Sequence, residues 1–272
     1  MDSILSVNGL DVRFCGHRRS VHAVKSVSFD ITRGELFGLV GESGSGKSVT
    51  SLSITRLLPF DADVNVSGSA LYYGRGETRP IDLLSCPEDE LMQVRRNGIS
   101  YVFQDPVEAV NPYLPVGDQM RRLLRHLGGA KEIDARSRYL LERVRIDDTR
   151  RVLASYPREL SGGMCQRVAI AFALAGEPQL IFADEPTTDL DVIIRNAVLD
   201  LIRDLVREFA LSVVLITHDM GVVRHYCDSV AVMNRGEIVE RGSVMQVFTQ
   251  PQTDYTRMLL DSVPRIRSEA AT

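Results

Sequence analysis

At 272 residues the chain is long enough to bury a substantial core, and 44% hydrophobic with 25% charged residues excludes a disordered or fibrous class. A net charge of −4 leaves no dominant basic face, which argues against nucleic-acid binding by bulk electrostatics, and no run of about 18 apolar residues occurs to span a bilayer. The start, "MDSILSVNGLDVRF", lacks a signal-peptide pattern; scattered Cys15, Cys86, Cys165 and Cys227 make no disulfide frame or zinc site, so a cytosolic chain is expected.

In chain order, residues 3–40 alternate apolar and polar positions and end in the apolar run "LFGLV", which predicts a small β-rich entry and then a buried strand. A glycine-rich loop follows. "KSVTSLSITRLL" reads as a helix halted by Pro59, and residues 60–82 as turns with short strand-like pieces. Another buried strand is expected from Ile99 to Phe103. Residues 105–176 differ: Pro106, Pro112 and Pro115 punctuate a loop, and "DQMRRLLRHL" and "DARSRYLLERV" then carry helical spacing. The strand "QLIFAD", a helix over 191–209, the strand "SVVLIT" and a helix near 219–226 come next. A hairpin turns at Asn234-Arg235-Gly236. Strands separated by helices imply a mainly parallel α/β sheet, with the helical block inserted into it.

"GESGSGKS" fits G-x-x-x-x-G-K-[ST] through Gly41, Gly46, Lys47 and Ser48. Glycines let backbone N–H groups wrap a polyphosphate at a helix N-terminus that already favours anions. Lys47 would reach the β and γ phosphates, and the Ser48 hydroxyl would ligate Mg²⁺. In "LIFADEPTTDLD" a buried strand ends in Asp184, placed to hold Mg²⁺ through water. Adjacent Glu185 leaves the strand end in another direction and can polarise water as a general base. In "LSGGMCQR", Ser161, Gly162 and Gly163 cap a helix and present bare N–H groups at its positive end. A second anion-binding end is redundant in one chain but useful if two chains close each other's nucleotide.

With these residues the chain resembles an ABC-transporter ATPase subunit over about residues 4–260. The nucleotide-binding loop comprises Gly41, Glu42, Ser43, Gly44, Ser45, Gly46, Lys47, Ser48 and Val49, and matches the Walker A motif. Leu180–Glu185 matches Walker B with its catalytic glutamate, and Leu160–Met164 the family signature. The resemblance implies that Gln104 of "VFQDP" touches Mg²⁺ and the attacking water, and that His218 of "LITHD" contacts the γ-phosphate. It places Asp191 of "TDLD" in the D-loop beside the nucleotide, with Asp189 where alanine is frequent. For the aromatic that stacks on adenine, Phe14 is the best match, while His17 or His22 of the inserted "CGHRRSVH" are alternatives.

"QDPVEAVNP", "YPRELSGGM", "ADEPTTDLDV" and the tail "PQTDYTRMLLDSV" are similar to the peptide and nickel branch of importers. "TTDLDV" and "HDMGVV" resemble nickel-import ATPases in particular, and no cysteine follows Cys227 to hold the iron–sulfur cluster of longer members. The resemblance implies a P-loop NTPase core (1–104 and 177–250) with an N-terminal antiparallel β subdomain. An inserted α-helical subdomain (105–176) and a C-terminal helical tail (251–272) complete it. ATP and Mg²⁺ are the implied cofactors. The implied partners are two membrane-spanning permease subunits, a second ATPase subunit and an external substrate-binding protein, at the cytoplasmic face of a bacterial membrane, with no nucleic acid. The alternative is an ABC ATPase acting on nucleic acid or the ribosome. "QDPVEAVNPYLPVGDQ", beside Gln104, is too apolar for a solvated loop and is expected to receive a membrane partner.

Overall fold

The alternating entry forms two 13-residue strands, β1 (Ser3–Cys15) and β2 (Ser20–Thr32), paired antiparallel with Ile4, Leu5, Val7, Leu10 and Val12 turned into a core. The structure, a computed structural model, describes residues 3–16, 20–59, 63–76, 79–128 and 132–262, except the side chains of Val107 and Glu108. His17 and residues 263–272 of the expected tail lie outside the described residues.

The apolar run becomes β3 (Leu36–Val40), buried at every position, and the glycine loop leads into α1 (Lys47–Ile54). That helix stops short of Pro59. Arg56 takes a left-handed φ of 52°, Leu57 N–H returns to Leu52 O (2.7 Å) and Arg56 N–H to Ser53 O (3.0 Å), a C-terminal turn that closes the helix. Arg95 then donates to the carbonyls of Thr55 and Arg56 at the end of the helix.

Residues 60–82 hold more strand than their turn residues suggest: β4 (Val64–Tyr72) pairs antiparallel with β1, and short β5 (Ile81–Asp82) follows. Next comes α2 (Glu88–Asn97), absent from the sequence reading because only Leu91 and Val94 are buried along it. Its acids in the first turn and arginines in the last complement the helix dipole. Strand β6 (Ile99–Val102) precedes the helical block of α3 (Pro106–Ala109), α4 (Val116–His126), α5 (Ile133–Arg143), α6 (Thr149–Ala154) and α7 (Gly162–Leu174).

The remainder alternates: β7 (Leu180–Asp184), α8 (Val192–Phe209), β8 (Ser212–Thr217), α9 (Met220–Tyr226), then the hairpin β9 (Ser229–Asn234) and β10 (Glu237–Ser243). Its turn residues Arg235 and Gly236 both have positive φ, 47° and 88°, as a two-residue hairpin of this twist requires. Helices α10 (Val244–Thr249) and α11 (Asp254–Asp261) end the described chain.

Two sheets result. One is antiparallel in the order β2-β1-β4-β5; the other runs β10-β9-β3-β8-β7-β6, parallel throughout except for the β10–β9 pair. One buried cluster joins both sheets through Phe29 and Phe37, whose rings stack at 5.3 Å. The second lies between the six-stranded sheet and the helical block. Parallel strands bring their C-terminal ends to one edge, where ligands bind in open α/β sheets. At that edge β3 delivers Gly41, β6 delivers Gln104, β7 delivers Glu185 and β8 delivers His218. The four loops of the expected site therefore meet.

Candidate active site

The loop after β3 is shaped by close backbone approach. A Cβ on Gly41 would stand 2.1 Å from the Met233 carbonyl oxygen, and Gly46, at φ 106°, would carry one 2.6 Å from Ala23 O. Only glycine fits at either position. Lys47 is 5% exposed and its Nζ donates to the carbonyls of Gly41 (2.8 Å) and Glu42 (2.9 Å). Burial pulls its pKa below the usual lysine value, while the charges of Glu185 and Asp184 pull it back up.

Asp184 ends β7 at 6% exposure. Ser48 Oγ donates to its Oδ1 at 3.1 Å and the Tyr101 hydroxyl to its Oδ2 at 3.0 Å; Tyr101 also meets Ser51 Oγ at 2.8 Å. Burial raises the Asp184 carboxyl above its ordinary value despite these two bonds, and burial likewise raises the Tyr101 phenol. Tyr101 has no place among the sequence-derived site residues. The one signal for it is its position on β6, next to the strand that carries Asp184.

Glu185 sits at φ 43°, a region costly for a residue with a side chain. The strain is held by Glu185 N–H to Ile216 O (2.9 Å) and by Thr188, whose N–H bonds Glu185 O (3.1 Å) and whose hydroxyl bonds Glu185 Oε2 (2.8 Å). His218 Nδ1 lies 3.2 Å from the same Oε2. The left-handed turn separates the two carboxylates: Asp184 faces Ser48 and Glu185 faces His218.

These groups line one open cleft of about 980 Å³. Glu42, Ser43, Gly44, Gly46, Lys47, Ser48, Val49, Gln104, Glu185 and His218 all belong to its wall, with Val21, His22, Arg235, Leu259 and Ser262. Ser45 is buried in the loop behind it. At the end formed by β2, Val21 and His22 line the cleft. Phe14, paired across the strands with Val21, packs partly buried against the sheet cluster and is not among the lining residues. His22 Nε2 lies 2.7 Å from Asp11 Oδ2.

A neighbouring groove of about 970 Å³ shares Ser48 and Gln104 with the cleft and is lined also by Phe103, Gly162, Asp184 and Asp189. Ser161 caps α7 by accepting from Met164 N–H (3.3 Å), and Asp191 caps α8 by accepting from Ile193 and Ile194 N–H (3.0 Å each). Ser161, Gly162, Gly163 and Asp191 are not on the wall that holds Lys47. The N-terminal end of α7 thus lies on the neighbouring groove rather than on the wall that holds Lys47.

Chemically, the cleft joins a buried ammonium, loop N–H groups and the Ser48 hydroxyl, with the Asp184 carboxylate bonded to that hydroxyl from the neighbouring groove. That donor set suits a polyphosphate with Mg²⁺, since all its metal-facing atoms are oxygen. Among the described residues no group of three or more histidines, cysteines and acids is gathered to hold a metal ion, so a metal here would rest on the Ser48 and Asp184 oxygens together with the ligand's own.

A protein-family model described as ABC transporter matches residues 24–188. The chain is 46% identical over 264 residues to the peptidoglycan transport ATP-binding protein YejF of Agrobacterium fabrum. It is 46% identical over 269 residues to the dipeptide transport ATP-binding protein DppD of Bacillus subtilis, and 43% over 270 residues to the oligopeptide transport ATP-binding protein OppD of Salmonella typhimurium. These alignments cover 96%, 98% and 98% of this chain, and 47%, 78% and 78% of the relatives. The chain thus spans about half the length of the first of them.

Among solved structures, a dimeric ATP-binding cassette in a post-hydrolysis state, bound to ADP and Pi, aligns with a TM-score of 0.74 at 29% identity, covering 88% of this chain and 98% of that one. A component of an ABC transporter complex from Clostridium perfringens aligns with a TM-score of 0.76 at 29% identity, covering 92% of each chain.

Proposed function

The chain belongs to the ABC transporter family of ATP-binding cassettes, and from that premise we propose that it hydrolyses ATP to drive an importer of peptide-class solutes. The observation that carries this reading is the meeting of Lys47, Ser48, Gln104, Glu185 and His218 on one cleft, with Asp184 bonded to Ser48. Lys47 and the loop N–H groups hold the β and γ phosphates. Ser48 and Asp184, with Gln104, would hold Mg²⁺, which when bound neutralises charge on the phosphate oxygens. Glu185 takes the proton of the attacking water. Its Oε2 is already fixed by Thr188 and His218, which leaves Oε1 for that proton. His218, bonded to Glu185 and carried by the strand between β3 and β7, would contact the γ-phosphate.

The signature end of α7 serves a second cassette. Since Gly162 does not share the wall of the chain's own Lys47, its N–H groups fit a nucleotide held by a partner ATPase, and the partner's signature closes this one. The adenine lies toward Val21 and His22, with Phe14 one strand over and His17 outside the described residues.

No helix among the described residues is long and apolar enough to cross a membrane. As in the importers whose ATP-binding subunits the chain resembles, two permease subunits would supply the path, with the chain docked on their cytoplasmic side. The docking loop follows Gln104. Tyr113 is 82% exposed there, while Gln119 ties the loop to α4 through Asn111 and Leu114. An external binding protein supplies cargo. The relatives' names favour a peptide and favour transport over work on nucleic acid or the ribosome; a nickel or metal-chelate cargo is compatible with the same cassette.

The test is Tyr113→Glu in cells that express the whole system. ATP affinity of the isolated chain should match the parent, while membrane association and uptake are lost. If affinity falls while association holds, the loop is structural and the docking assignment is wrong.

A further inference from the structure

The C-terminal helix, which lies outside both the nucleotide motifs and the matched family region of 24–188, makes a contact with the glycine-rich loop. Its start is pinned to the sheet. Glu240 on β10 accepts the N–H groups of Gln252 (2.8 Å) and Thr253 (3.1 Å) and the Thr253 hydroxyl (3.2 Å). Thr253 in turn caps α11 by accepting from Thr256 N–H at 3.1 Å.

From that anchor the helix runs along the cleft. Leu259 and Ser262 line the cleft itself. One turn earlier, the Tyr255 hydroxyl accepts the Glu42 N–H at 3.2 Å, and the Glu42 carbonyl accepts Lys47 Nζ at 2.9 Å. Glu42 is therefore held at both ends, by a tyrosine from the C-terminal helix and by the lysine of the glycine loop. Lys47 is buried and has two recorded acceptors, the carbonyls of Gly41 and Glu42. A shift of the Glu42 backbone thus moves one of the two groups that aim the ammonium.

We propose that Tyr255 is a positioning residue of the nucleotide site, setting Lys47 through the Glu42 backbone, and that α11 is a wall of that site. The proposal rests on the reading that Lys47 binds the phosphates. Nucleotide affinity then depends on α11 being docked, a dependence absent from the loop motif alone.

The experiment compares Tyr255→Phe with the parent in the full chain. It measures the Kd for ATP–Mg²⁺ by calorimetry, KM and kcat for hydrolysis, and the melting temperature without nucleotide. Phenylalanine keeps the ring packing and removes only the acceptor oxygen. Kd and KM should rise roughly three- to tenfold, the effect of losing one net hydrogen bond. The kcat should stay within about twofold, and the melting temperature without nucleotide should fall by no more than about 2–4 °C, the cost of one net hydrogen bond. Met258→Ala, on the exposed side of the same helix, should match the parent. A merely structural role would reduce the active fraction, lowering kcat and leaving KM alone; that result overturns the proposal, as does parental affinity in Tyr255→Phe. A parent that binds no ATP–Mg²⁺ overturns the nucleotide reading itself, and this assignment with it.

Discussion

Ser48 Oγ and Asp184 Oδ1 are joined by a 3.1 Å hydrogen bond across 136 positions of sequence. Strand β8 lies between β3 and β7 in the sheet, so the loop after β3 must lean over β8 to reach Asp184. The bond joins the glycine-rich loop's helix to the carboxylate proposed to face Mg²⁺.

Because that carboxylate is buried at the cost of its solvation, Asp184→Asn should make the nucleotide-free chain more stable while abolishing Mg²⁺-dependent hydrolysis. The amide can still bond Ser48 and Tyr101. A gain of about 1 kcal/mol, or roughly 2–4 °C in Tm, is expected at neutral pH. The sign follows from the folded-state pKa, raised above the ordinary 3.8. The native state holds the proton more tightly, so the parent gains stability as pH falls through the raised value, fully so below 3.8. The advantage of asparagine should shrink over that window. Thermal melts across pH check it; a variant that melts lower than the parent at neutral pH contradicts it.

Lys47→Ala removes the charge proposed to meet the β and γ phosphates. ATP–Mg²⁺ at about 100 Kd adds roughly 2.7 kcal/mol to a protein that binds it only when folded. The parent should show that shift in a thermal assay and the variant should not. An undiminished shift would mean the nucleotide lies elsewhere.

Glu185→Gln keeps the shape of the strained turn but cannot accept a proton at Oε1. Turnover should fall by about 10² to 10⁴. ATP binding should survive, and the ATP-closed pair of cassettes should accumulate and elute earlier in size-exclusion chromatography. Full turnover in this variant would place the base on another residue.

Gly162→Asp tests the shared site without breaking the fold. A Cβ at Gly162 meets only Leu190 Cδ2, at 3.4 Å, whereas one at Gly163 would stand 2.4 Å from Ile194 Cγ2, where α7 packs on α8. The new carboxylate should oppose the γ-phosphate held by the partner cassette. Photo-crosslinking labelled nucleotide to each subunit of a mixed pair should show loss at the partner's loop. Loss confined to the mutated chain's own loop would refute sharing.

The sequence by itself determined the local chemistry. Glycine, lysine and serine in "GESGSGKS" have few other uses at a strand–helix junction, and the short apolar run "LIFAD" reads as a strand buried on both faces. The parallel α/β class and the hairpin at Arg235-Gly236 were likewise legible, because strand, turn and helix periods differ along the chain. Helix α2 was not, since two buried residues are too few to mark a period, and the stop of α1 at Ile54 was not, since Arg56 takes a conformation usually left to glycine. Only the tertiary structure decided what depends on separate segments meeting. The order of strands brings Tyr101 to Asp184, and the left-handed φ of Glu185 turns it to His218. The pinned start of α11 carries Tyr255 to Glu42, 213 residues away in the chain. Local pattern reports what a residue can do, whereas its partners follow from packing, which no short window of sequence contains.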